Sequence, residues 1–139
     1  MSADGVHHRR LRVPATPECL EQVHALLADL LVDVDGVADA DRTSFEIALA
    51  ELVANVVEHA GAHGAVGLTV ELGAGPADLT ADLYDDGPPV DVDPGAAVLP
   101  DALAERGRGL ALARAAVDDV SYALEAGTNH WSITRRRRA

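Results

Sequence analysis

The chain has 139 residues, 48% of them apolar, and a formal net charge of −12; that length suits one domain with a real hydrophobic core, and that charge sets nucleic acid and anionic membranes against the overall field. One Phe, one Trp and two Tyr are too few for a base-stacking platform. All 11 basic residues are arginine, which excludes a P-loop, the strand lysine of an ordinary protein kinase and Schiff-base chemistry, so bound phosphate has to be met by backbone amides, arginine or a metal.

The N-terminal "MSADGVHHRRLRV" lacks the apolar stretch of a signal peptide, and no run approaches the roughly 20 apolar residues of a membrane span; a cytoplasmic setting without a membrane partner is expected. "VHHRRLRVP" alternates and stops at Pro14, predicting an edge strand over residues 6–13. Thr16 is expected to cap the next element, with Pro17 in its first turn. Leu20, Val23, Leu27, Leu30 and Leu31 then share one helical face, and Gly36 closes that helix. Cys19, the only cysteine, has no base in view and is read as packing. The acidic group Asp29, Asp33, Asp35, Asp39 and Asp41 reads as a solvated helix end and loop. Asp41 or Thr43 is expected to cap a second helix reaching about Ala60, with Gly61 and Gly64 past its end. His59 and His63 stand four apart, but Gly61 lies between them and no further ligand supports a zinc pair.

Beyond that helix the period changes. "AVGLTVEL" (65–72) and "ADLTADLYD" (77–85) alternate on either side of "GAGP", the pattern of an antiparallel hairpin. Residues 86–105 form the longest irregular stretch, and loops of that length are usually functional. "GRGLALARAAVDD" opens with glycines and becomes helical, "VSYALEAG" and "TNHWSITRR" read as a closing hairpin, and Arg135–Arg138 read as a solvated basic tail or a local counter to the negative charge. The order β-α-α-ββ-loop-α-ββ predicts an α+β fold over residues 1–139, with an ordered core at about 10–135: a two-layer sandwich, its mostly antiparallel mixed sheet covered on one face by about three helices.

Three stretches carry candidate chemistry. In "ELVANVVEH" (51–59), Phe45, Leu49, Leu52, Val53 and Val56 fall on a buried stripe about 100° wide. Glu51, Asn55 and His59 form a ridge along its margin, at roughly 0°, 40° and 80°. Spacing alone leaves two readings open, a solvated margin and a half-buried site. "LYDDGPPVD" (83–91) ends a strand on Asp85 just before Gly87: a carboxylate acceptor beside a close backbone approach suits a base with an exocyclic amine, and is also ordinary turn chemistry. "ERGRGLALARAAVD" (105–118) puts Gly107, Arg108 and Gly109 at a helix mouth with no acidic residue in its first turns, which makes an anion site or a glycine turn shaped only for packing.

Taken in this order, "ELVANVVEH", "YDDGPPV" and "GRGLAL" resemble the nucleotide-binding boxes of the GHKL ATPase superfamily, whose Bergerat fold is shared by gyrase and histidine kinases. The chain is similar in size to the bacterial anti-sigma-factor serine kinases, and the resemblance covers about residues 10–135. It implies ATP and Mg²⁺ as cofactors, with the Asn55 side-chain oxygen on the metal and Glu51 as the general base toward an attacking hydroxyl. It implies that Asp85 accepts from the adenine amine, that Gly87 allows the approach, and that Gly107, Arg108, Gly109 and Leu110 wrap the phosphates. Residues 92–106 would be the lid, with Arg106 toward the γ-phosphate; Thr128 would lie near the nucleotide, and His59 would match a common histidine of the first box. The implied activity is ATP-dependent phosphorylation of a serine on a STAS-domain anti-sigma-factor antagonist by a homodimer that also binds a sigma factor. Pro89 stands where the second box usually has another glycine, and the lid is short. The alternative is therefore a catalytically weak or inactive ATP-binding module of the same fold that sequesters a partner. A histidine-kinase-type catalytic domain is less expected, because no helix pair bearing an acceptor histidine stands ahead of the boxes.

Overall fold

The computed structural model describes residues 5–61, 66–87 and 111–138. Five strands, β1 (His7–Pro14), β2 (Gly67–Ala74), β3 (Asp78–Asp85), β4 (Asp119–Glu125) and β5 (Thr128–Arg136), form one sheet in the order β1-β2-β3-β5-β4. All four pairings are antiparallel. Helices α1 (Cys19–Val32) and α2 (Asp39–Gly61) and a shorter helical stretch, α3 (111–116), complete the described elements.

The central strands β3 and β5 bury alternate residues, as a sheet covered on one face must. Leu79, Ala81, Leu83 and Asp85 of β3 are buried, as are Asn129, Trp131 and Ile133 of β5. Against them α1 sets Cys19, Val23, Leu27, Leu30 and Leu31, with Leu20 half-buried, and α2 sets Phe45, Leu49, Leu52, Val53 and Val56. The predicted stripes are the core faces. Burial raises the pKa of Cys19, leaving a packed thiol rather than a nucleophile.

The local signals were less exact. Helix α1 begins at Cys19, later than a Thr16 cap predicts; Thr16 contributes its carbonyl, which accepts the Cys19 N–H at 3.0 Å. The glycines of "GAGP" are not all turn residues. Gly73 and Ala74 continue β2, and a Cβ on Gly73 would lie 2.6 Å from Thr80 Oγ1, its cross-strand neighbour. Helix α2 starts at Asp39, and Asp41 caps nothing: it is buried, accepting Arg135 Nε at 3.0 Å and the Arg138 N–H at 2.8 Å.

That last contact corrects two expectations. The acidic group is not simply solvated, since Asp29 and Asp33 also pair with Arg9. Nor are Arg135–Arg138 a free tail, because β5 runs to Arg136. Arg138 pairs with Asp118 at 2.8 Å, and Arg137 donates to the carbonyls of Gly75 and Asp35.

The same contact orients α2. Its first turns are tied to the end of β5, and only residues 62–66 separate its last residue from Gly67, where β2 begins. Since α2 packs along β5 and β3, its C-terminal half lies over the sheet end where β2 and β5 start and β3 finishes. The register places Leu68 beside Asp85, and Asp85 beside Asn129, at that end.

Candidate functional site

Glu51, Asn55 and His59 lie along the margin of α2, where their spacing places them, and each is half-buried. The Asn55 side-chain nitrogen is buried and has no hydrogen-bond partner among the described residues. A buried amide without a partner costs about 1–3 kcal/mol, and few native groups are left that way. It has the character of a group held for a ligand. Glu51 lies one turn earlier on the same ridge.

Asp85, at the end of β3, is buried. Its Oδ1 accepts the Gly87 N–H at 3.0 Å and the Asn129 Nδ2 at 2.9 Å. Two donors fill the two lone-pair positions of one oxygen, leaving Oδ2 as the acceptor for anything that enters. Space at the glycine is tight: a Cβ on Gly87 would lie 3.1 Å from Asp85 Oδ1 and 3.5 Å from Val66 Cγ2. Any other residue would press on the carboxylate.

Asn129 was not singled out from the sequence. It is fully buried and donates a second bond to the Gly87 carbonyl at 3.1 Å, while its Oδ1 accepts from the Tyr122 hydroxyl. One signal pointed to it: an asparagine, rare in strands, at an inward position of the alternating "TNHWSI". Thr128, which was singled out, is half-buried at the start of β5, opposite Glu125. Pro89, the lid at 92–106, Arg106, Gly107, Arg108, Gly109 and Leu110 lie outside the described residues, as does His63. Among the described residues no cluster of three or more metal-ligating side chains forms, and no helix is long and apolar enough to cross a membrane.

The structure thus brings two of the three stretches to one end of the sheet. The ridge of α2 contributes a side-chain nitrogen unpartnered among the described residues and a carboxylate; the end of β3 contributes a held acceptor beside a glycine. The profile of the histidine kinase-like ATPase domain matches residues 13–134, a span that includes both stretches. The chain belongs to the histidine kinase-like ATPase family. Its α+β fold is also that of a solved relative, the RsbU and RsbW domains of Rv1364c from Mycobacterium tuberculosis, at 25% identity and a TM-score of 0.61. That likeness covers 94% of this chain and 33% of the other, so this chain spans about a third of the length of that relative. No curated protein matches it. Within this ATPase family, the ridge and the Asp85 corner are the natural candidates for the two ends of a nucleotide site.

Proposed function

We propose that this chain is an ATP-dependent protein-serine kinase with an anti-sigma role. It binds Mg·ATP, phosphorylates a serine on a STAS-domain antagonist, and binds a sigma factor as a cytoplasmic homodimer. The observation that carries the reading is the buried Asn55 side-chain nitrogen, without a partner among the described residues, set on α2 over the sheet end where Asp85 accepts two bonds through one oxygen. Family membership supports the ATP, and likeness to a chain with an RsbW domain supports the regulatory role.

In this reading the Asn55 side-chain oxygen would be the chain's ligand to Mg²⁺. Mg·ATP, when bound, supplies the phosphoryl group and neutralises its charge. Asp85 Oδ2 accepts from an exocyclic amine. The amides of residues 107–110, with Arg108 and Arg106, would meet the phosphates in place of the missing lysine. Glu51 takes the proton from the incoming serine hydroxyl.

Calorimetric titration with Mg·ATP tests the site; no heat of binding at millimolar nucleotide overturns the reading. With binding in hand, radiolabelled ATP and candidate STAS proteins test transfer. Glu51→Ala is expected to slow label transfer by roughly 10²–10⁴-fold, and transfer at the wild-type rate would remove Glu51 as the base. ATP binding without transfer to any partner would point instead to a sequestering module, the alternative that Pro89 favours.

A further inference from the structure

We infer that Asn129, held in turn by Tyr122, is a positioning residue that gives the site its discrimination between purine bases. The inference rests on the ATP-site reading above and extends it to a residue outside the three boxes.

The orientation of the Asn129 amide is forced by its partners. Asp85 Oδ1 and the Gly87 carbonyl can only accept, so the NH₂ end must face them, at 2.9 and 3.1 Å. Tyr122 then donates its hydroxyl to the remaining oxygen. One buried amide therefore ties together the side chain of Asp85, the backbone two residues further on, and the edge strand β4. The Gly87 N–H adds a second donor to the same carboxylate oxygen at 3.0 Å.

The consequence is directional. With Oδ1 occupied twice, the Asp85 carboxylate cannot rotate freely, and Oδ2 is the oxygen left for a ligand. A fixed, acceptor-only carboxylate rewards a base carrying an amine at the contact and penalises one carrying a carbonyl oxygen there. Sites built around such buried polar groups discriminate strongly, because the wrong ligand leaves a group unpaired. A carboxylate without Asn129 still bears its charge but samples other rotamers, so an amine gains less and a carbonyl loses less. Asn129 is thus argued to act through Asp85 rather than by touching the base.

Trp131, the only tryptophan, gives a built-in reporter. It is buried two residues along the same face of β5, with its ring centroid 4.6 Å from that of Tyr122. Fluorescence titrations of the full chain with Mg·ATP and Mg·GTP, alongside thermal melts without nucleotide, test the inference. Wild type is expected to prefer ATP. Asn129→Ala is expected to weaken ATP roughly tenfold while GTP changes little, so that the preference collapses. Tyr122→Phe, which removes only a hydroxyl, is expected to lower the ratio roughly two- to threefold.

A merely structural role would lower the melting temperature and weaken both nucleotides by the same factor, leaving the ratio intact; that result overturns the inference. If Asn129→Ala does not fold, an unchanged ratio in Tyr122→Phe overturns it just as well. Wild type that binds ATP and GTP equally well overturns the discrimination while leaving the ATP site standing. Wild type that binds neither removes the site itself, and the inference with it.

Discussion

Asn55 shows what a single residue exposes when its sequence context and its surroundings are read together. Its spacing left it between a solvated margin and a site; its buried, unpartnered nitrogen favours the site. Asn55→Leu removes that group and adds apolar contact beside the core stripe. It is expected to leave the nucleotide-free protein as stable as before, or more stable by up to about 1 kcal/mol, while Mg·ATP binding is lost. Thermal melts with and without Mg·ATP check both halves. His130, on the outer face of the same strand as Asn129, makes a prediction of a different kind. Its Nε2 lies 2.8 Å from Asp82 and its Nδ1 3.3 Å from Glu125, and Tyr84 stacks on the ring. Burial pulls its pKa down, but hydrogen bonds to the two carboxylates outweigh that and leave it above the usual 6.5. A raised histidine pKa stabilises the fold fully below the unfolded value and ceases to as pH rises through the folded one. His130→Gln should therefore cost most stability near about pH 5.5 and progressively less toward about pH 9; denaturant titrations across that range would show a constant cost if the pairing carries no charge.

At the scale of the element, the β4–β5 hairpin was legible from its alternation, and its turn fits a two-residue type I′ loop. Both loop residues take positive φ, Ala126 at 51° and Gly127 at 81°. Glycine adopts that conformation without penalty, whereas alanine sets its Cβ against the backbone. Ala126→Asn supplies the residue such loops prefer at the first position. It is expected to stabilise the fold by about 0.5–1 kcal/mol, read as a higher denaturant midpoint at unchanged slope. The turn also fixes the register of β5 against β4, and so places Asn129. Helix boundaries were less legible than helix faces. A face follows from many apolar positions at once, while a start depends on one or two hydrogen bonds. At Thr16 those bonds went to the carbonyl and not to a side-chain cap; at Asp41 they went to another strand.

Across the whole molecule, the two ends of the sheet are built differently. At the end where β5 finishes, Arg135, Arg136 and Arg138 meet Asp41 and Asp118, joining the start of α2 to the start of β4. At the other end, Asn129 ties Asp85 to Gly87 and to β4, and the Asn55 side-chain nitrogen has no partner among the described residues. Arg138, with the Arg136 N–H, holds the Asp118 carboxylate down at a pKa of about 2, against an ordinary 3.8. A depressed carboxylate pKa contributes stability above the unfolded value, which is lost as pH falls through the folded one. Asp118→Asn is therefore expected to flatten the loss of stability between pH 3.8 and about 2, while its own cost is seen near neutrality. An acid limb as steep as that of wild type would mean that Asp118 takes no part in acid unfolding.

Sequence alone determined the fold class, the core faces of both long helices, the hairpins and the polar ridge of α2. These follow from periodicity, and a side chain's distance from the core is set by its own element's repeat. It also excluded lysine chemistry outright, since composition needs no structure. What only the tertiary structure decided is which polar groups meet. Asp85 finds Asn129 across 44 positions of chain and Asp41 finds Arg135 across 94; such pairs are set by strand order and register, which local patterns do not encode. The basic run read as a tail because its carboxylate partners are remote in sequence. Asn129 was passed over for the same reason: its meaning lies in the neighbours that β3 and β4 bring to it.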